Sequence, residues 1–168
     1  MSKRIAIFVI SILVSACATQ MPIEPLPADA KTEFTYDYSI PDTEKATLWK
    51  RARDHFAGAY GDSRSVFRVM DESEGTIIGK GVSFWAFGNP PYTVPCLTEY
   101  HIRFAAKDNK ARLQISLINE VPASSRCTGW PLPTKIAYQE IVSSFVDHSN
   151  SLETALNGGG DVNDFKNF

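Results

Sequence analysis

Residues 97–119 read LTEYHIRFAAKDNKARLQISLIN. Apolar and polar side chains alternate on both sides of Asp108-Asn109, and a period of two is typical of strands with one buried face. A short polar turn between two such strands is typical of a β-hairpin. We therefore predict that 97–106 and 110–119 pair as a hairpin. Its apolar face carries Tyr100, Ile102, Phe104, Leu113, Ile115 and Leu117, and its polar face carries Glu99, His101, Arg103, Arg112, Gln114 and Ser116.

The segments that flank this hairpin predict three more strands and two helices. Strands are predicted over 33–40, 65–70 and 76–87 from β-forming and alternating residues. Apolar residues at spacings of three and four predict one helix that ends near Tyr60 and a second over 136–156. The order β-α-β-β-β-β-α predicts an α+β fold, with a mainly antiparallel five-stranded sheet, two helices on one face and the other face in water.

The third predicted strand, 76–87, does not reveal which of its faces is buried, because Ile77 and Ile78 favour opposite registers. Gly79 and Gly81 indicate a bulge or the close approach of another backbone. The sequence Gly-Asn-Pro-Pro at 88–91 predicts a break of the strand into a loop that continues to Cys96.

The N-terminal segment predicts export. Lys3 and Arg4 precede an apolar run, 5–14, that is too short to span a bilayer but has the proportions of a signal peptide. Val14-Ser15-Ala16-Cys17 resembles the lipobox of bacterial lipoproteins, which implies removal of residues 1–16 and fatty acyl chains such as palmitate on Cys17. An ordinary cleaved signal peptide is the alternative.

This resemblance divides the chain into a signal peptide (1–16), a lipidated tether rich in proline (17–32), an α+β domain (33–157) and a flexible tail (158–168). Acyl chains on one residue hold a protein at a membrane without a spanning helix. Because Ala18, and not an acidic residue, directly follows Cys17, the expected location is the cell envelope, on the outer membrane facing the periplasm.

The net charge argues against binding to nucleic acids. The chain has 17 basic and 19 acidic residues, and 1–16 carries two basic residues and no acidic one. The mature chain therefore has 15 basic and 19 acidic residues, a net charge of −4, whereas affinity for nucleic acids depends on Lys and Arg at phosphates.

Export leaves Cys96 and Cys127 as a pair in an oxidising compartment, where thiols usually form a disulfide. Cys96 precedes the first arm of the predicted hairpin and Cys127 follows the second, so both lie at its open end. We predict a disulfide between them that stabilises the sheet by roughly 3 kcal/mol.

Two motifs resemble a known bacterial family. Residues 48–52, LWKRA, and above all 75–81, GTIIGKG, resemble a bacterial domain family of unknown function with a TATA-binding-protein-like fold. The resemblance covers Tyr38 to about Leu156 and implies this fold in an envelope lipoprotein, but it supplies no active site. It does not imply DNA binding, since minor-groove binders use basic residues and apolar wedges on the sheet.

No motif for catalysis, a cofactor or a metal is present. His55, His101 and His148 lack the spacing of metal ligands. Cys96 and Cys127 show no activating base, and a nucleophile elbow of the type Gly-x-Ser-x-Gly is missing. We therefore expect a protein that is not an enzyme, without cofactor or metal.

Two features predict a binding surface. One is a pair of aromatic loops that the disulfide would draw together, with Trp85, Phe87, Tyr92 and Trp130; the alternative is that these rings pack over the sheet edge. The other is the row Glu99, His101 and Arg103, which is otherwise a solvated row of charges. The first hypothesis is a binding or structural module of the envelope with a protein partner. The competing hypothesis is a periplasmic enzyme or small-ligand binder that uses the cleft between the aromatic loops.

Overall fold

The computed structural model describes residues 23–60 and 63–159. The predicted signal peptide, the predicted lipidation site Cys17 and residues 160–168 of the predicted tail lie outside the described residues. Within the described ranges the elements are β1 (Glu33–Ser39), α1 (Lys45–Ala59), α2 (Ser63–Val66), β2 (Phe67–Asp71), β3 (Thr76–Asn89), β4 (Tyr92–Lys107), β5 (Lys110–Leu117) and α3 (Lys135–Leu156).

The five strands form one antiparallel sheet in the order β1-β5-β4-β3-β2. Helices α1 and α3 contact each other and cover one face of the sheet, which we call the inner face. The opposite face is the outer face. This arrangement confirms the predicted α+β fold with two helices on one side of a five-stranded sheet.

The hairpin that was predicted at 97–119 forms as expected. Its inner residues Tyr100, Ile102 and Phe104 are buried against the helices, as are the alternate apolar residues of β5. Burial of each such side chain contributes about 1.5–3 kcal/mol relative to an exposed position. The hairpin therefore supplies the centre of the core.

Strands β3 and β4 are longer than predicted and extend beyond the rest of the sheet. They pair without interruption from Thr76 opposite Ala105 to Asn89 opposite Tyr92. The predicted loop at 88–96 is therefore wrong, because the only residues between the strands are Pro90 and Pro91. Two prolines are accommodated there because a turn position does not require the backbone N–H that an interior strand position donates.

The sheet has two ends. The tip end carries the Pro90-Pro91 turn, and β1 begins on the same side, since Glu33 pairs with Ser116 late in β5. The base end carries the Asp108-Asn109 turn between β4 and β5.

Helix α3 runs from the tip end to the base end. Tyr138 in its first turn donates a hydrogen bond of 2.8 Å to the carbonyl of Lys31, just before β1. Ser149, three turns later, hydrogen bonds over 2.9 Å with Tyr38, near the end of β1. The chain thus enters the described domain at one end and leaves α3 at the other.

Residues 23–32, which belong to the predicted tether, lie against the domain. Pro25 forms a β-bridge with Thr134, the residue that caps α3 through a hydrogen bond to the N–H of Ala137. The N–H of Leu117 donates to the carbonyl of Thr32 over 2.8 Å. This part of the segment is therefore fixed to the tip end.

The structure settles the buried face of β3. Ile77 is 0% exposed and points towards the helices, whereas Ile78 is 39% exposed on the outer face. Gly79 and Gly81 share the inner face with Ile77, where the ring of Phe67 packs on Gly79 and the ring of Tyr100 packs on Gly81. The predicted approach of another backbone is confirmed at Gly79, which the carbonyl of Val66 approaches, and the β2–β3 register shifts opposite it between Phe67 and Val69. At Gly81 the prediction is wrong, because the close neighbour is the ring of Tyr100 and not a backbone.

The second strand begins later than predicted. The sequence predicted a strand over 65–70, but residues 63–66 form the short helix α2 and β2 starts at Phe67. The carbonyl of Val66 lies so close to Gly79 that a Cβ there would be 2.7 Å from it. The chain must therefore turn across β3 at this point before it can pair as a strand.

Candidate functional site

The outer face is free of any covering layer among the described residues. Its middle is built by β3 and β4, whose opposed pairs include Ile78 with Arg103, Val82 with Glu99, and Phe84 with Leu97. On the outer face β3 therefore presents an apolar row that is interrupted by Lys80, and β4 presents Leu97 followed by a polar row.

The polar row is the one that the sequence predicted. His101 and Arg103 are exposed, and Glu99 is half-buried and forms an ion pair with Lys80 at 2.5 Å. An ion pair at this exposure contributes at most about 1 kcal/mol to stability. Its main effect is to hold the Lys80 and Glu99 side chains in one arrangement beside the apolar row.

The apolar row was missed by the sequence reasoning. It consists of Ile78, Val82 and Phe84 on β3 and Val69, which pairs with Ile78 from β2, and we call these four residues the outer stripe. Phe84 is 78% exposed. The alternation of Ile78, Lys80, Val82 and Phe84 was visible in the sequence, but it competed with the equally apolar inner row.

The edge of β3 that faces away from β4 is only partly covered by β2 in the described part of the chain. Strand β2 reaches only Gly79, so from Val82 to Phe87 no described strand pairs with that edge. An edge of this kind, rich in apolar and aromatic residues, is a template for pairing with an extended segment.

Three of the predicted aromatic residues pack together on the inner side of the β3–β4 extension. Trp85 is only 5% exposed, and its Nε1 donates a hydrogen bond of 3.0 Å to Oγ1 of buried Thr98. The ring of Phe87 lies 6.3 Å from that of Trp85 and 4.8 Å from that of Trp130. Their rings fill the space between the two segments that were expected to form a cleft.

Tyr92, the fourth of these aromatic residues, is not part of this cluster. It lies directly after the Pro90-Pro91 turn and is 86% exposed. Glu99, His101 and Arg103 point to the opposite side of the sheet from Trp85 and Phe87. The structure thus divides the predicted binding residues between an inner cluster, the tip and the outer face.

The predicted disulfide between Cys96 and Cys127 is confirmed, with a Cα–Cα distance of 5.4 Å. It ties the 125–130 segment to the start of β4, and Ser125 accepts a hydrogen bond from the N–H of Leu97 at 3.2 Å. The N–H of Trp130 donates to the carbonyl of Cys127, which sets the ring of Trp130 against Phe87. The disulfide therefore supports the β3–β4 extension from its inner side.

A second group of polar side chains lies between α1 and α3. The rings of Tyr60 and His148 stack at 5.9 Å, and the hydroxyl of Tyr60 interacts with that of Tyr100. Burial raises the pKa of both tyrosines, and burial followed by the charge of His148 lowers the pKa of His55. Each shift favours the neutral form. At neutral pH His55, Tyr60 and Tyr100 are therefore uncharged, as their burial favours.

The base end has an open depression of about 650 Å³. Its wall includes Asp37 and Arg112, which form a bidentate ion pair that lowers the pKa of the Asp37 carboxyl. The remaining lining is Tyr38, Ser39, Ala105, Lys107, Lys110 and Ala111. Across the described ranges, no cluster of three or more His, Cys, Asp or Glu residues could hold a metal ion.

Comparisons with known proteins identify the fold. A family model described as a domain of unknown function (DUF4468) with TBP-like fold matches residues 34–120, about half of the chain. Its limits run from β1 past the end of β5 and so enclose the whole sheet. None of the curated proteins matches the chain significantly.

Two solved structures share this arrangement. A DUF4468 family protein from Bacteroides ovatus aligns with a TM-score of 0.53 and 14% identity, over 84% of this chain and 94% of that one. A TBP-like protein from Parabacteroides distasonis aligns with a TM-score of 0.50 and 13% identity, over 79% and 98%. At these identities the likeness concerns the fold alone.

Proposed function

The chain belongs to the DUF4468 family of domains with a TBP-like fold, and from this premise we propose that it is a non-enzymatic binding module of the bacterial cell envelope. It is held at the outer membrane by lipid on Cys17 and faces the periplasm. It binds a partner protein through the outer stripe. The description of the family names no activity. The support for the proposal therefore comes from this chain's own surface.

The observation that carries the proposal is the exposure of Phe84. A phenylalanine that is 78% exposed leaves most of its ring in water. Val82 is exposed next to it on the outer face, and Ile78 and Val69 are exposed on the other side of Lys80. Contiguous exposed apolar residues with a polar rim mark interaction sites on soluble domains, because burial of the apolar area drives association.

The rim indicates the chemistry of the partner. His101 and Arg103 are exposed beside the outer stripe, while the carboxylate of Glu99 is already paired with Lys80. A partner surface with an apolar centre and carboxylates opposite Arg103 would match this pattern. The open edge of β3 offers backbone hydrogen bonds to an extended segment of the same partner.

The competing hypothesis, a small-ligand binder or enzyme in an aromatic cleft, has less support. The rings of Trp85, Phe87 and Trp130 contact one another and occupy the space that a ligand would need.

The lipid anchor is supported by the sequence from Met1 to Cys17. No helix within 23–60 or 63–159 is long and apolar enough to cross a bilayer. To test the anchor, the wild-type chain and a Cys17→Ser variant would be expressed in bacteria with labelled fatty acid. We expect label and membrane association in the wild type alone, and equal labelling of both chains would contradict the anchor.

The docking surface is tested by photo-crosslinking in intact cells, with a photoreactive amino acid at position 84. The matched control is position 146, an exposed valine on α3 that faces away from the sheet. We expect a discrete adduct with one envelope protein from position 84 alone. Val82→Ser should weaken this adduct, whereas identical adduct patterns at 84 and 146 would contradict the outer stripe as the docking site.

A further inference from the structure

Exposed apolar side chains also gather at the tip end, on a surface separate from the outer stripe. Tyr92 and Val94 lie at the start of β4, next to the Pro90-Pro91 turn, and Ile136 lies in the first turn of α3. Ile23, the first described residue, is exposed as well. We call these four residues the tip patch.

Neighbours of the four residues connect the β3–β4 extension, the start of α3 and the entering chain. Val94 pairs with Phe87, whose ring lies 4.8 Å from that of Trp130, and Trp130 is four residues from Thr134. Thr134 in turn forms a bridge with Pro25. The ring contact at Trp130 and the four residues that follow it therefore connect the β3–β4 extension to the start of α3, and the bridge connects the start of α3 to the entering chain.

The entering chain is held firmly at this end. The N–H of Lys135 donates to the carbonyl of Glu24 over 3.0 Å, and the Lys135 ammonium lies 3.2 Å from the Glu24 carboxylate. Ile23 directly precedes Glu24 and Ile136 directly follows Lys135, so both exposed isoleucines lie next to this contact.

The base end has the opposite character. Its turns, at 71–75 and 107–110, carry mostly charged side chains, namely Asp71, Glu72, Glu74, Lys107, Asp108 and Lys110. Charged residues at one end and exposed apolar residues at the other give the domain a polarity along the strands.

The length of the chain before Ile23 connects this polarity to a membrane. Only five residues separate Cys17 from Ile23. A chain of this length reaches at most about 20 Å when fully extended. Lipid on Cys17 would therefore keep the tip end, and not the base end, close to the bilayer surface.

We propose that the tip patch contacts the membrane surface, with Tyr92, Val94, Ile23 and Ile136 in the interfacial region and the base end directed away. The inference rests on the proposed anchor at Cys17. Tyrosine suits the headgroup region because its ring is apolar and its hydroxyl remains hydrated, and aliphatic side chains gain from partial burial beside it. The outer stripe stays accessible to a partner in this orientation, since it lies on a face that runs away from the membrane.

The test uses the full-length lipidated protein in vesicles of phosphatidylethanolamine and phosphatidylglycerol with brominated acyl chains, which quench nearby tryptophan. Tyr92→Trp reports on the tip end, and the matched control Lys107→Trp reports on the other exposed hairpin, at the base end. The tryptophan emission of the parent protein is subtracted from that of each variant. The remaining emission is then compared between vesicles with and without brominated acyl chains. We expect most of the added emission at position 92 to be quenched and that at position 107 to be unchanged.

The outcomes separate the two proposals. If the protein carries lipid and sediments with vesicles but position 92 is quenched no more than position 107, the tip patch does not contact the membrane and this inference is overturned alone. If labelled fatty acid is not incorporated at Cys17, the anchor fails and the inference fails with it.

Discussion

The ring of Tyr100 occupies the space that a side chain at position 81 would need. The two residues are directly opposed on β4 and β3, and a Cβ built on Gly81 would overlap Cζ, Cε2 and the hydroxyl of Tyr100. Tyr100 is buried and cannot move aside without disturbing its T-shaped contact with Phe145, at a centroid distance of 4.9 Å. The glycine is thus part of the core packing.

Gly81→Ala should therefore destabilise the domain by about 1–3 kcal/mol, the typical cost of overpacking a well-filled core. The free energy of unfolding would be measured by urea denaturation. The matched control is Gly58→Ala in α1, where no atom lies within 4 Å of an added Cβ. There the substitution should be stabilising, by up to about 1 kcal/mol, because alanine is the better helix former. Equal stability of Gly81→Ala and the wild type would contradict the account of Tyr100.

Loss of the Trp85–Thr98 hydrogen bond should also lower the stability of the domain. Thr98→Val keeps the shape of the side chain but leaves the buried Nε1 of Trp85 without its acceptor at 3.0 Å. We expect a loss of about 1–3 kcal/mol in the free energy of unfolding. Adding Trp85→Phe to Thr98→Val should cost less than the sum of the two single changes, because the unpaired donor is then absent. Strict additivity of the two changes would argue against the bond.

Replacement of both cysteines by serine should lower stability by roughly 3–4 kcal/mol, since the disulfide closes a loop across a sequence separation of 31. Mass spectrometry after alkylation without reductant should leave Cys96 and Cys127 unmodified in the wild type. Cys17→Ser serves as the control, because it should keep the bond and the stability. Alkylation of Cys96 and Cys127 without reductant would reject the disulfide in the native protein.

Stability should fall as the pH is lowered through the ordinary pKa of histidine, 6.5. His55 has a lowered pKa in the folded state, chiefly because of burial, so below pH 6.5 the unfolded chain binds the proton first. The contribution of neutral His55 to the free energy of unfolding is therefore complete above pH 6.5. It is lost as the pH falls towards the pKa of His55 in the folded protein. The free energy of unfolding, measured with urea, should fall less between pH 7.5 and pH 5.5 in His55→Gln than in the wild type.

The cause of this shift can be checked separately. His148→Gln removes the charge that acts second on His55, so an NMR titration of the His55 ring should show a pKa above that of the wild type and still below 6.5. A pKa of His55 at or above 6.5 in this variant would show that burial is not the principal cause.

Local pattern was sufficient to predict the central hairpin. The buried positions Tyr100, Ile102 and Phe104 follow from alternation alone, because each strand there has one apolar face and one polar face. The position of Cys96 and Cys127 relative to that hairpin was then enough to predict their bond.

The register of β3 could not be predicted, because both of its faces are apolar. What selects Ile77 for the interior is the packing of Phe67 on Gly79 and of Tyr100 on Gly81, and these rings come from other strands. The outer stripe is exposed only because Ile77 faces the interior. It therefore could not be predicted from the local sequence pattern either. The aromatic residues near position 85 could be recognised in the sequence. The side of the sheet on which they pack depends on Trp130, which follows more than forty residues later.

The direction of α3 has a practical consequence. The helix ends at Leu156, whose carbonyl accepts a hydrogen bond of 2.6 Å from Arg51, far from the residues through which the polypeptide enters. A fluorescent reporter fused after this helix would lie at the base end, opposite the end at which the chain enters the domain. Such a fusion is remote from Cys17, and if the proposed anchor is present, the distance of the fluorophore from the bilayer would measure the tilt of the domain.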